Sequence, residues 1–156
     1  SVFFLPFKKN DETYLYPFYR PDLLYWLCSI KPKNIDIIDA VSSKSIKQDI
    51  EKLVSFGTRH TLSDTLSKSR GIGAARRWIK SEFDKISDTC DGCLEVFYQK
   101  NYFTPEDGDR IVKPVWINNV VAIQRGTTHP NRFIIMSGDI DSRISDPTNY
   151  TDDSPG

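Results

Sequence analysis

The stretch Phe133-Ile134-Ile135-Met136-Ser137-Gly138-Asp139-Ile140-Asp141-Ser142-Arg143 decides how the fold of this 156-residue chain is read. Four consecutive apolar residues, with His129-Pro130-Asn131 before them and Ser137-Gly138 after, have the form of a short strand buried on both faces, where no polar/apolar alternation is needed. Such a strand belongs inside an α/β sheet covered by helices. Ligand sites in open α/β sheets lie beyond the carboxyl ends of the strands, so the polar segment starting at Asp139 is the expected place for chemistry. If the extended backbone continues, Asp139 and Asp141 share one face, because side chains alternate with a period of two. Two carboxylates that close repel unless a cation or a donor such as Arg143 offsets the charge.

The elements upstream fit that class. Residues 94–103 are rich in aromatic and β-branched side chains, and after the turn-forming residues 104–109 comes a second such run over 115–124; the two are expected to pair. Ahead of them, Ser45-x-x-Gln48 has the form of a capping box, and Ile46, Ile50, Leu53 and Val54 follow at helical spacing, which predicts a helix over 45–56 stopped by Gly57. A second helix is predicted over 71–87, with Ile72, Ala75, Ile79, Phe83 and Ile86 on one stripe and Arg76, Arg77, Lys80 and Asp84 elsewhere. Both helices need an apolar surface to lie against. The Ser/Thr-rich residues 58–69 between them read as a polar loop.

Composition narrows the function classes. Twenty-one Lys+Arg balance 21 Asp+Glu, which argues against a nucleic-acid partner, since dedicated binders carry a clear basic excess. No run of about 18 apolar residues is present, so no transmembrane segment is expected. Neutrality is the sum of unlike regions. Residues 44–80 hold nine bases and three acids, read as the solvated faces of the helices, whereas residues 137–156 hold five acids and one base. From composition alone that acidic stretch is a solvated loop.

Residues 1–40 form a separate expectation, an aromatic and proline-rich N-terminal extension ahead of a domain over 41–156. Nine of the 19 aromatics lie in 3–26, interleaved with Pro6, Pro17 and Pro21, a proline density that forbids a long helix. Its aromatic side chains are expected to lie over a neighbouring core, with an exposed binding strip as the sharper alternative. A start at Ser1 rather than Met suggests a processed or excised N-terminus. Cys90-Asp91-Gly92-Cys93 has CxxC spacing without the second pair that a structural zinc site needs. It reads as a local disulfide between Cys90 and Cys93 in an exported protein, or as two ordinary thiols. His60 and His129 read as loop residues, Gly71-Ile72-Gly73 lacks the rest of a dinucleotide fingerprint, and no Gly-x-Ser-x-Gly elbow surrounds Ser55, Ser137 or Ser142.

The order of motifs adds a resemblance. Gly138-Asp139-Ile140-Asp141-Ser142, then a loop, then Pro155-Gly156, resembles the zinc aminopeptidases of the aminopeptidase Y and bacterial leucyl aminopeptidase type (peptidase family M twenty-eight). Their first metal motif reads Gly-His-Tyr-Asp-Ser at the end of a buried strand, followed by Pro-Gly-Ala-Asp-Asp or Pro-Gly-Ala-Asn-Asp. Leu53-Val54-Ser55-Phe56-Gly57-Thr58-Arg59-His60 and Gly73-Ala74-Ala75-Arg76-Arg77-Trp78-Ile79 are similar to that family's opening helices, and Asn119-Val120-Val121-Ala122 to its second strand.

The resemblance implies a helix-sheet-helix sandwich with a mixed sheet, of the zinc-peptidase, phosphorylase/hydrolase-like type, incomplete in this chain. It implies a secreted or periplasmic exopeptidase that hydrolyses peptide substrates with two zinc ions, the metals polarising the scissile carbonyl while a Glu acts as general base. By matched position, Asp139 stands where the family has a zinc-binding His, and Asp141 matches the carboxylate that orients that His. Asp139 departs from the pattern: a carboxylate is a harder, negatively charged ligand that shifts preference toward Mn²⁺, Mg²⁺ or Ca²⁺, and it leaves Asp141 no imidazole to orient. The bridging Asp, the general base and the other ligands follow Pro-Gly in the family, so no catalytic residue is expected in this chain. It is expected to be inactive alone, its partner being the missing C-terminal remainder of the same domain. Two alternatives stand beside this reading: a non-catalytic homologue that binds peptides or a partner protein, and a simple Ca²⁺ loop.

Overall fold

The computed structural model describes residues 2–4, 38–129, 131–154 and 156, with only the backbone described for 2–4. Most of the N-terminal extension therefore lies outside the described residues. The chain divides into two compact units, Ser1–Lys8 with Glu51–Gly156, and Lys9–Ile50. The described part of the second unit is residues 38–50, which include the first two turns of helix α1 (Ser43–Val54).

In the larger unit, β2 (Glu95–Phe103) and β3 (Val115–Ile123) pair, as the sequence predicts, and do so antiparallel in unbroken register from Glu95↔Ile123 to Phe103↔Val115. Strand β1 (Val2–Phe4) lies parallel to β3 with Val2 opposite Val120, and β4 (Met136–Gly138) lies antiparallel to β1 with Met136 opposite Phe4. The sheet is mixed, in the order β2-β3-β1-β4. Helix α2 (Gly71–Thr89) covers one face of it. Period-two alternation puts Val96, Tyr98, Val120 and Ala122 on that face, where Phe83 and Ile79 of α2 meet them. Val120 and Ala122 are at most 1% exposed, so the centre of the domain is this helix–hairpin contact. A second cluster joins Phe56 to Ala74 and Ala75, with Leu53 and Trp78 against it.

The start of α2 shows why the polar stretch before it is not an ordinary surface loop. Arg70 at the cap position provides no side-chain cap. The amide groups that a helix start leaves free are taken instead by the preceding segment: Gly71 N–H donates to Phe56 O, Ile72 N–H to Ser63 Oγ, and Gly73 N–H to Asp64 O. Thr58, Arg59, His60, Leu62 and Ser63 are all buried. Gly73 is required here by close approach, since a Cβ at that position would overlap the backbone of Thr65. At the other end, Ser87 Oγ donates to Leu94 O and accepts from Leu94 N–H, tying the helix to β2. The intervening turn carries a Cys90–Cys93 disulfide with a Cα–Cα distance of 5.4 Å.

Three expectations need correction. Helix α1 starts two residues earlier than the Ser45-x-x-Gln48 pattern suggests, because the cap is Ser42, whose Oγ accepts from Ser45 N–H at 3.2 Å. Of its apolar positions, Ile46, Ile50 and Val54 are exposed and only Leu53 packs on a cluster. The third correction is the apolar run. Only Met136 of Phe133-Ile134-Ile135-Met136 lies in a strand, and the four are 74%, 60%, 68% and 48% exposed. A run buries on both faces only where layers cover both. Strand β4 is at the sheet edge, and α2 lies over β2 and β3.

Candidate functional site at the end of the edge strand

Past Gly138 the alternation of an extended chain persists. Asp139 and Asp141 are exposed while Ile140 and Ser142 between them are buried, so the two carboxylates face outward together from an anchored segment. The anchor is Arg59, only 7% exposed. Its Nε donates to Ile140 O at 2.8 Å and its Nη1 to Leu53 O at 2.9 Å; its backbone N–H donates to Ser142 Oγ at 3.1 Å. Ser142 Oγ donates in turn to Ser154 O at 2.5 Å. One guanidinium thus joins the end of α1 to the end of β4. Burial pushes the Arg59 pKa below its ordinary value, and the charge of Asp141 opposes that shift. Asp141 is thus within electrostatic reach of Arg59. Arg143, the partner suggested by sequence, donates to Ile144 O.

His60 holds the next part of the loop. Its Nδ1 accepts from Leu62 N–H at 3.0 Å, which leaves the proton on Nε2 to donate to Pro147 O at 2.8 Å. Both ring nitrogens are engaged, so this imidazole is structural. His129 sits in a turn, its carbonyl accepting from Arg132 N–H. Asp153 Oδ1 accepts from Thr58 N–H at 3.2 Å and pairs with Arg70 at 2.6 Å, and these partners hold its pKa below the usual carboxylate range, with Arg70 the larger cause. Gly57, at φ 66°, turns the chain into this arrangement; a Cβ there would meet Asp153 Oδ1 at 2.5 Å. Asp146 accepts from Thr148 N–H and hydroxyl, and Asp152 from Asn149 Nδ2.

The acidic stretch is thus not a free solvated loop. Asp146, Asp152 and Asp153 build its own turns and its attachment to residues 57–60, and Asp141 faces Arg59. Asp139 has no hydrogen bond or ion pair to a described residue, which leaves it chemically available. The described residues do not by themselves fit a zinc ion: no group of three His, Cys, Asp or Glu that could hold a metal comes together among them, whereas a catalytic zinc needs about three protein ligands and a water.

Sequence reasoning missed Arg59 and His60 as the organising residues. The available signal was the bulky polar pair at the end of a short Gly-Thr lead-in, directly after an amphipathic helix.

Fold and site together define an α/β unit with a clamped, carboxylate-bearing strand end. Comparison with known proteins bears on what such a unit belongs to. The chain is 46% identical over 120 residues to a probable zinc metalloprotease of Pyrenophora teres f. teres, which covers 77% of this chain and 24% of the relative. It is 45% identical over 120 residues to another of Leptosphaeria maculans, covering 77% and 27%, and 41% identical over 121 residues to one of Pyrenophora tritici-repentis, covering 78% and 28%. The chain therefore spans about a quarter of the length of the curated relatives it matches. No protein-family model matches the chain, and no solved structure matches it.

Proposed function

We propose that this chain is the N-terminal portion of a zinc-dependent peptidase, and more finely of an aminopeptidase that acts on peptide substrates with two metal ions. The observation that carries the reading is the similarity of about three quarters of the chain to proteins named probable zinc metalloproteases. Asp139 supports it: a carboxylate without a protein partner stands at the carboxyl end of a strand, held by a buried guanidinium. In this reading Asp139 supplies one oxygen ligand, and the remaining ligands and the general base come from outside residues 1–156. Zinc would there polarise the substrate carbonyl. The role of the present residues is positional. Arg59 and Ser142 fix the backbone on either side of Asp141, so Asp139 is presented from a rigid segment and its rotamers alone adjust to the metal. The sandwich fold would be completed when further elements of the domain cover the sheet face and edge near 133–136. Export from the cell fits the Cys90–Cys93 disulfide.

The test is turnover by the full-length protein of an aminoacyl-p-nitroanilide and of its N-acetylated form. The expected result is hydrolysis of the free-amine substrate only, abolished by a chelator and restored by Zn²⁺. Cleavage of blocked substrates would remove the aminopeptidase assignment, and chelator-resistant cleavage would remove the metal.

A second reading is favoured by the carboxylate at position 139 in place of the imidazole of the resembling motif: a non-catalytic homologue that binds peptides or a protein. It predicts no turnover and no tightly bound metal, even in Asp139→His.

A further inference from the structure

The face of the β2–β3 hairpin that packs on α2 continues beyond the helix start. There, Lys100 opposes Asn118 and Tyr102 opposes Trp116, and the wall across from them is the segment before α2. Between the two lies a cavity of about 610 Å³, within the range of small-molecule sites.

Its chemistry is one-sided. Arg76, Lys100 and Lys113 line it together with Ser63 and Thr65, and none of the described residues that line it is Asp or Glu. Arg76 is half-buried and makes no hydrogen bond or ion pair with a described residue, whereas its neighbour Arg77 is engaged by the carbonyls of Thr65, Leu66 and Ser67. Lys100 is likewise without a described partner. Lys113 lies 3.9 Å over the Tyr150 ring, a contact that leaves its ammonium hydrogens available. Burial pushes the pKa of Arg76 down, Tyr98 opposes this, and the like charge of Arg77 adds a smaller push in the same direction as burial. A desolvated, unpaired guanidinium is costly unless an anion covers it. Beside these cations, Asn118 Oδ1 is a buried acceptor with no partner, and buried polar atoms of that kind call for a donor.

We propose that this cavity binds a small organic anion, a carboxylate or phosphate held by Arg76, Lys100 and Lys113, with an adjacent N–H or O–H donating to Asn118 Oδ1 and an apolar part against Trp116 and Pro114. The site uses none of the residues assigned to the strand end and does not depend on the peptidase reading.

The experiment is calorimetric titration and thermal melting of the full-length protein with two probes, inorganic phosphate and N-acetylglutamate, with chloride at equal ionic strength as control. Saturable binding of at least one probe, absent with chloride, is expected. Lys100→Gln, at an exposed position, and Arg76→Gln should each weaken it about tenfold, the loss of one charge-assisted contact. Asn118→Leu should weaken N-acetylglutamate in particular if the amide donor is used. The phosphate and N-acetylglutamate arms distinguish the two sources of oxyanion. Absence of saturable binding, or binding unchanged in the Arg76→Gln/Lys100→Gln double variant, overturns the proposal. A full-length protein that binds neither probe but melts lower as Arg76→Gln would give Arg76 a structural role only, and that also overturns it.

Discussion

Residues 57–60 and residues 133–136 exchange the roles that hydropathy assigns them. Gly-Thr-Arg-His is a polar tetrapeptide in a Ser/Thr-rich stretch, yet Thr58, Arg59 and His60 are 3–7% exposed. Phe-Ile-Ile-Met is the most apolar tetrapeptide in the decisive segment, yet every member is 48% exposed or more. The difference lies in where partners are found. A polar loop can be buried wherever each of its groups finds a hydrogen-bond partner, and residues 57–60 find theirs in the ends of α1 and β4 and in the turn at Pro147. An apolar strand needs more than a few point contacts, namely whole layers on both faces. Among the described residues those layers are not assembled around β4.

Substitutions can break or sharpen that contrast. The largest effect should come from Arg59→Ala, which leaves the carbonyl of Ile140 without its donor and that of Leu53 with Phe56 N–H alone, and Ser142 Oγ less well placed. A loss of about 3 kcal/mol is expected, given that each hydrogen bond to a charged group contributes about 1.5–3 kcal/mol. Urea unfolding measures it, and a loss below about 1 kcal/mol would mean the loop does not hold the strand end. Gly57→Ala comes next, at about 1–2 kcal/mol, because a residue with a Cβ is strained at positive φ and the new methyl displaces Asp153 and Arg70.

The pH dependence of the same clamp has a definite sign. Asp153, Asp64 and Asp146 all have folded-state pKa values below the ordinary carboxylate value. Each therefore contributes stability that is fully present above about pH 4, the unfolded value, and is lost as pH falls through the lower folded value. Asp153→Asn should lower the melting temperature by a near-constant amount from neutrality down to that pH and by progressively less below it, which flattens the acid limb. An identical acid limb would disconnect Asp153 from the clamp.

The smallest effect on stability belongs to the other region. Ile135→Ser should change the unfolding free energy of this chain by no more than about 0.5 kcal/mol, as expected of an exposed position. It should also reduce self-association in sedimentation, since exposed apolar strands at a sheet edge aggregate. In the full-length protein, where further elements of the domain are proposed to cover this run, the same substitution should cost about 2 kcal/mol or more. A small effect there would leave the run uncovered and count against the sandwich.

How much of this was legible in the sequence follows from the range of the interactions. The β2–β3 hairpin and α2 were readable because alternation, turn residues and a helical stripe are local signals. The register from Glu95↔Ile123 to Phe103↔Val115 goes beyond the pairing that this pattern predicts. The start of α1 was misplaced by two residues because Ser42, Ser43 and Ser45 all suit a cap, and only geometry selects Ser42. The clamp was not legible. Arg59 meets Ile140 across 81 residues, and Asp153 meets Thr58 across 95, distances at which no spacing rule operates. The outward placement of Asp139 and Asp141 did follow from alternation, while the cation within electrostatic reach of Asp141 is the distant Arg59 and the adjacent Arg143 donates to Ile144 O.

The central claim is that the clamped strand end presents Asp139 to a metal. It is tested most directly by the zinc content of purified full-length protein, as wild type and as Asp139→Ala, with melting curves to verify folding. The account predicts bound zinc in the wild type and the loss of at least one equivalent in Asp139→Ala at an unchanged melting temperature of the apo protein. Equal zinc content in the two proteins, or none in the wild type, would contradict it.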